Sequence, residues 1–247
     1  MSPVNRRVSR REALGFLGAA GLAAAVGCGS SPTNPTTTSS STSGGSSGGA
    51  SGSSACAVAP EETAGPYPDR LGMINNSSFF RQDITEGRSG LPLTLTITVV
   101  NVKTSCTPVG GANVEIWQCD AGGRYSEYSQ PGYDGTGQTF LRGLQTTDAN
   151  GRVTFRTIYP GWYAGRATHI HVEVFINGTG VKTTQIAFPE DVSSAIYRTS
   201  VYASKGQNTT TNAQDNVFSD GTTGEMATLS GDTTSGYTAT LTVGVSV

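Results

Sequence analysis

This sequence is poor in the residues that most often carry chemistry. Among 247 residues there are two histidines and four cysteines, and only 14% of the chain is charged. Neither sign dominates: 16 Lys and Arg stand against 18 Asp and Glu, a formal net charge of −2. Nucleic-acid binding needs a basic patch or stripe, and none is present. Four arginines and one glutamate precede Cys28 and carry +3, so the remainder stands near −5. The mildly apolar run over residues 13–27 is too short to span a bilayer as a stable helix. Helical periodicity is nearly absent beyond it, which argues against a helical bundle.

The N-terminus reads as targeting sequence. Ser9-Arg10-Arg11 ahead of a weak hydrophobic run is the pattern of a twin-arginine export signal. Ala25-Val26-Gly27-Cys28 resembles a lipobox, imperfect because Ala25 stands where leucine is more usual. The expectation is an export signal over residues 1–28 and a lipidated Cys28. The protein would then be periplasmic or on the cell surface, touching a membrane only through that lipid. Residues 29–54 are almost entirely Ser, Gly, Thr and Pro and cannot offset their chain entropy by burial, so they read as a flexible tether. Residues 55–247 are compatible with one domain. With Cys28 set aside, Cys56, Cys106 and Cys119 allow at most one intramolecular disulfide. Cys106 and Cys119 flank a predicted hairpin and form the preferred pair, while either pairing with Cys56 stays open.

What is present is strand after strand. Leu91–Val102 alternates Leu, Thr, Ile and Val, the signature of a half-buried strand. Gly110-Gly111 turns the chain into a second strand over Ala112–Cys119, and Phe140–Thr147 and Val153–Ile158 follow around an Asp148-Ala-Asn-Gly151 turn. Lys182–Phe188 and Tyr237–Val245 are also strands, and Pro189-Glu-Asp191 opens one helix running through Tyr197. By patterning alone this is an antiparallel β-sandwich.

Both histidines fall in one stretch, Tyr159-Pro-Gly-Trp162-Tyr163-Ala-Gly-Arg166-Ala-Thr-His169-Ile-His171, running into Val172, Val174 and Phe175. On a strand, positions i and i+2 share a face, so His169 and His171 aim two imidazoles into one volume. That is a metal-ligand arrangement, although two histidines alone are more often ordinary hydrogen-bonded polar residues. A closed site needs further ligands. The neighbouring Tyr163 phenol and Arg166 guanidinium are unusual company for a purely structural strand.

At this point the motifs coincide with a family. Thr63-Ala-Gly-Pro-Tyr67, Arg81-Gln-Asp83-Ile, Gly111–Trp117-Gln, Gly122-Gly-Arg-Tyr125-Ser, the run from Thr147-Asp-Ala-Asn-Gly151 through Thr157–Tyr163, and Arg166–His171 resemble, in order, the blocks of the intradiol ring-cleavage dioxygenases. The likeness is to their exported branch, with a core similar to protocatechuate 3,4-dioxygenase, and extends from about Cys56 to the C-terminus. The resemblance implies an all-β, mixed-topology β-sandwich with long active-site loops. It also implies one Fe(III) per chain bound by Tyr125, Tyr163, His169 and His171. Tyr163 would be the labile ligand and substrate base, Arg166 and Gln185 catalytic neighbours, and Tyr67, Trp162 and Arg166 the substrate contacts. The reaction implied is O2-dependent cleavage of a catechol-type diol to a muconate-type diacid. Only five residues separate Tyr163 from His169, where protocatechuate 3,4-dioxygenase has a longer insertion, so that enzyme's substrate does not transfer. Two rivals stand beside this reading: a tethered, non-catalytic β-sandwich binding module, and a copper protein or metal hydrolase using His-x-His. The second needs further histidine or carboxylate ligands, and no third histidine exists.

Overall fold

The computed structural model describes residues 56–247. The expected export signal, the lipidated Cys28 and the tether lie outside the described residues.

Strand β1 (Pro92–Asn101) sets the pattern for the whole domain. Its threonines face outward, while Leu93, Leu95, Ile97 and Val99 are buried. This is the two-residue alternation of a strand with one wet face. β1 is flanked on one edge by β11 (Gly236–Val245), itself paired with β10 (Thr228–Asp232). Its other edge takes β7 (Arg152–Ile158) and, at its far end, the short β2 (Thr107–Pro108). The facing sheet runs β6 (Arg142–Thr146), β3 (Asn113–Trp117), β8 (His169–Ile176), β9 (Thr179–Ala187), with every pair antiparallel. A two-residue-arm hairpin, β4 (Ser129–Gln130) with β5 (Tyr133–Asp134), lies in the loop between β3 and β6. Of the described residues, only α1 (Glu190–Ile196) is α-helical.

Patterning alone called for antiparallel sheets, and one pair departs from it. β11 runs parallel to β1, in register from Leu93–Tyr237 to Asn101–Val245. Side-chain alternation is identical in both senses of pairing, so it carries no signal for strand direction. The sandwich is therefore of mixed topology.

The core is the space between the sheets. Leu95, Ile97, Phe155, Leu241 and Val243 meet Val114, Ile116, Ile170, Val172 and Val174 from the other side. Alternation then dictates that His169, His171 and Trp117 lie on the opposite face of the second sheet. That face is covered, because the segment before β1 crosses it. Glu62 N–H donates to Thr183 O at 2.8 Å, and Met73 and Phe79 pack with Trp117, Cys119 and Tyr125. This second, smaller cluster houses the functional residues.

The preferred disulfide is corrected. Cys56 pairs with Cys106, and Cys119 is a buried free thiol. Cys106 lies just past β1, where the incoming chain runs beside the last strand and Ala59 N–H donates to Gly244 O. Cys119, two residues beyond β3, points into the Tyr125 cluster instead. The bridge closes a separation of 50 residues. Removing it by Cys56→Ser with Cys106→Ser should lower unfolding stability by up to about 4 kcal/mol on the loop-entropy model. Denaturant midpoints at constant m-value would measure this, and an unchanged midpoint would contradict it.

Candidate active site

The two histidines are placed by β8. His171 pairs in register with Trp117 of β3, and their rings stack in parallel planes with centroids 4.7 Å apart. His169 Nδ1 lies 2.6 Å from Ala167 O. A carbonyl can only accept, so this nitrogen carries the proton and Nε2 presents a bare lone pair. Among the described residues His171 Nδ1 has no hydrogen-bond partner, so without a metal its proton sits on Nε2, facing the lone pair of His169 Nε2. The two Nε2 atoms approach to 3.2 Å. Burial, and then the Arg166 charge, push His169 down to about 3. Burial, then His169 and Arg166, hold His171 well below the ordinary histidine value. Both rings are therefore neutral, the form that binds metals.

Two phenols complete the cluster. Tyr125 Oη lies 3.5 Å from His169 Nε2, and the Tyr163 ring stands edge-on to His169 at 5.5 Å. Tyr125 is fully buried, whereas Tyr163 is half-buried. Burial raises the Tyr125 phenol well above its usual value and pushes Tyr163 up to about 12, with the Arg166 charge opposing the second shift. Without a cation both phenols keep their protons. A bound metal would reverse that balance, because the ion becomes the largest local charge.

The donor set fits a metal. Two imidazole nitrogens on one cation at about 2.0–2.1 Å lie roughly 3.0–3.4 Å apart, and the observed Nε2 separation falls in that interval. Among the described residues no three His, Cys, Asp or Glu side chains group as a metal site, and the side-chain oxygens closest to the two imidazoles are those of the phenols.

Arg166 is clamped from several sides. Its Nε donates to both Asp215 oxygens at 2.9 and 2.8 Å, and Nη2 donates to Gln185 Oε1 at 2.5 Å. Nη1 is thereby left 3.3 Å from Tyr163 Oη. Gln185 is buried and donates in turn to Thr63 O at 2.7 Å, tying the covering segment to the site. Tyr67 stacks on Tyr125 at 4.5 Å and meets Tyr163 edge-on at 5.7 Å. Trp162 sits apart from this cluster, against the main core, with Nε1 donating to Gly206 O. Gly65 is required where it stands: its φ is +72°, and a Cβ there would come within 2.9 Å of His171 Cε1.

Sequence reasoning missed three supports. Asp215 is fully buried and also accepts from Ala167 N–H at 2.7 Å, fixing the turn that leads to His169. Gln130 Oε1 accepts from Tyr125 N–H at 2.6 Å. Arg142 is fully buried and donates to Tyr67 O and Ser126 O, joining the covering segment to the Tyr125 loop. None has a local pattern to announce it: Asp215 and Arg142 act across long stretches of chain, and Gln130 acts through an irregular loop five residues on from Tyr125. Tyr67 and Tyr163 wall an open cleft of about 610 Å³ beside the cluster.

These features agree with known proteins. A family model described as Dioxygenase matches residues 64–227. An intradiol ring-cleavage dioxygenase from Tetranychus urticae superposes with a TM-score of 0.70 at 30% identity, over 77% of this chain and 95% of that one. The chain belongs to the intradiol ring-cleavage dioxygenase family. The dioxygenase domain of a dioxygenase and carbohydrate-binding fusion from Streptomyces sp. SirexAA-E is also similar, with a TM-score of 0.56 at 29% identity over 77% of this chain and 99% of that one. Among curated family members, the protocatechuate 3,4-dioxygenase beta chain of Burkholderia cepacia is 39% identical over 93 residues, 34% of this chain. Catechol 1,2-dioxygenase of Candida albicans is 36% identical over 101 residues. The chain matches 40% and 32% of the lengths of these two relatives.

Proposed function

We propose that this domain cleaves a catechol-type diol between its two hydroxyl-bearing carbons. Both atoms of O2 enter the product, a muconate-type dicarboxylic acid, with one Fe(III) per chain held by Tyr125, Tyr163, His169 and His171. The observation that carries the reading is the convergence of two neutral imidazoles and two phenols in one buried cluster beside an open cleft. Anionic phenolates are hard oxygen donors that favour Fe(III), and imidazole suits iron. When bound, the metal would supply a Lewis-acidic anchor that orients the diol toward O2.

The two tyrosines divide the work by exposure. Tyr125 is sealed under Tyr67 and has nowhere to go. Tyr163 borders the cleft, so of the two phenols it is the one an incoming diol would reach, and its oxygen, deprotonated when a metal is held, would accept the substrate proton. Arg166, fixed by Asp215 and Gln185, holds a cationic N–H beside that oxygen and stabilises negative charge developing there.

Export through the twin-arginine route and anchoring through Cys28 belong to the same proposal and rest on the N-terminal sequence. The Cys56–Cys106 bridge supports an oxidising compartment.

A visible spectrum of the iron-loaded protein, before and after anaerobic catechol, tests the reading. A tyrosinate-to-iron charge-transfer band that moves on adding catechol is the expected result. Tyr163→Phe should shift that band and lower turnover about 10²-fold or more, the scale of a lost proton acceptor. A protein that stays colourless after iron reconstitution would sink the enzyme reading in favour of the binding module.

A further inference from the structure

The cleft beside Tyr163 has a charge that ring cleavage itself does not use. Its lining includes Arg124 and Lys205 and contains no acidic residue. Among the described residues neither cation forms an ion pair, a state they share with several surface cations, and Arg124 lies 4.8 Å over the Tyr133 ring.

Lys205 is held in place by its surroundings. Its N–H donates to Tyr202 O at 2.9 Å, and Tyr202 is buried with its hydroxyl donating to Tyr159 O and accepting from Leu91 N–H. The ammonium sits 4.9 Å over the Trp162 ring, one residue from Tyr163. Gly123 faces it with a φ of +81°, and a Cβ there would lie 3.1 Å from Nζ and only 2.1 Å from Trp162 O. Glycine at that place therefore keeps the ammonium open to the cleft. The ammonium lines the cleft beside the Trp162 ring, where an anion entering the cleft would gain a charge-assisted hydrogen bond from it.

Size points the same way. Clefts of about 300–1,000 Å³ suit drug-sized ligands, and this one, at about 610 Å³, exceeds the needs of a bare catechol ring.

Resting on the dioxygenase reading above, we propose that Lys205, assisted by the more exposed Arg124, recognises a carboxylate carried on a side chain of the catechol ring. The preferred substrates are catechols extended by an anionic substituent. Lys205 is a specificity residue of the cleft and takes no part in the electron or proton transfers.

The test compares 3-(3,4-dihydroxyphenyl)propanoate with its methyl ester, which keeps the ring and length but removes the charge. For the iron-loaded full-length protein, kcat/KM should favour the acid by about tenfold, the scale of a charge-assisted hydrogen bond. That ratio should shrink with added salt. Lys205→Met should bring it near one through KM, and Lys205→Arg should restore most of it. Taking the ratio within each variant cancels losses of folded protein. Calorimetric binding of both compounds, measured without O2, separates the two claims. Tighter binding of the acid that depends on Lys205, with no turnover of either compound, would sustain the recognition site and sink the reaction. Turnover of both compounds at equal efficiency, or an acid preference that survives Lys205→Met, would overturn the recognition site and leave the reaction standing. Absence of any charge-dependent binding overturns it whatever the activity.

Discussion

His171→Ala should leave a protein that folds but does not retain iron. The imidazole is fully buried, stacked on Trp117, and one of only two nitrogen donors available. Outer residues that merely orient a metal ligand cost about 10–100-fold in affinity when lost, so removing a donor itself should exceed that range. The expected result is iron content near zero after dialysis, no charge-transfer band, and activity below detection. Folding should survive, because the hydrophobic core lies on the other face of the sheet, among Ile170, Val172 and Val174. Metal analysis beside a melting curve decides the matter. Stoichiometric iron in the variant would remove His171 from the ligand set.

Asp215→Asn should produce a different defect. Asp215 is fully buried, with its oxygens shared among Arg166 Nε, Ala167 N–H and Val217 N–H. Removing the charge leaves the Arg166 guanidinium, only 11% exposed, without its counter-ion. Breaking a buried pair from one side costs about 3–5 kcal/mol, and the amide's remaining hydrogen bonds place this variant at the lower end. The chemical effect follows from position. Without Asp215, Nη1 is no longer directed at Tyr163 Oη, and loss of one aimed donor costs about 10²-fold in kcat. Iron content should stay near one per chain, while the charge-transfer band shifts as the Tyr163 phenolate loses its cationic neighbour. A fall in stability with kcat and spectrum unchanged would reduce Asp215 to a structural role. Asp215 is a positioning residue, and the spectrum is the readout that a purely structural role would not move.

The extent to which the sequence was legible follows from the range of the forces involved. β1, β3, β7 and β8 were readable because alternation of apolar and polar residues is a local consequence of burying one face. α1 was readable from its Pro-Glu-Asp start, the place where a helix favours those residues. The direction of β11 was not readable, since its alternation suits either neighbour sense. The disulfide was misjudged for a related reason. A predicted hairpin between Cys106 and Cys119 favoured that pair, yet β2 pairs with β1 and β3 with β6 and β8, so Cys119 turns inward while the chain before β1 brings Cys56 to Cys106.

An all-β sandwich presenting two histidines on one strand face was already legible in the unfolded chain. That follows from two-residue periodicity and from there being no other histidine. The family blocks added Tyr125 and Tyr163. Which phenol is sealed and which borders the cleft, that Asp215 aims Arg166, and that Lys205 stands beside Trp162 with no ion pair among the described residues emerge only when the chain is folded. Each of these depends on segments dozens of residues apart meeting across the covered face of one sheet, where burial and charge are set by neighbours that no local pattern names.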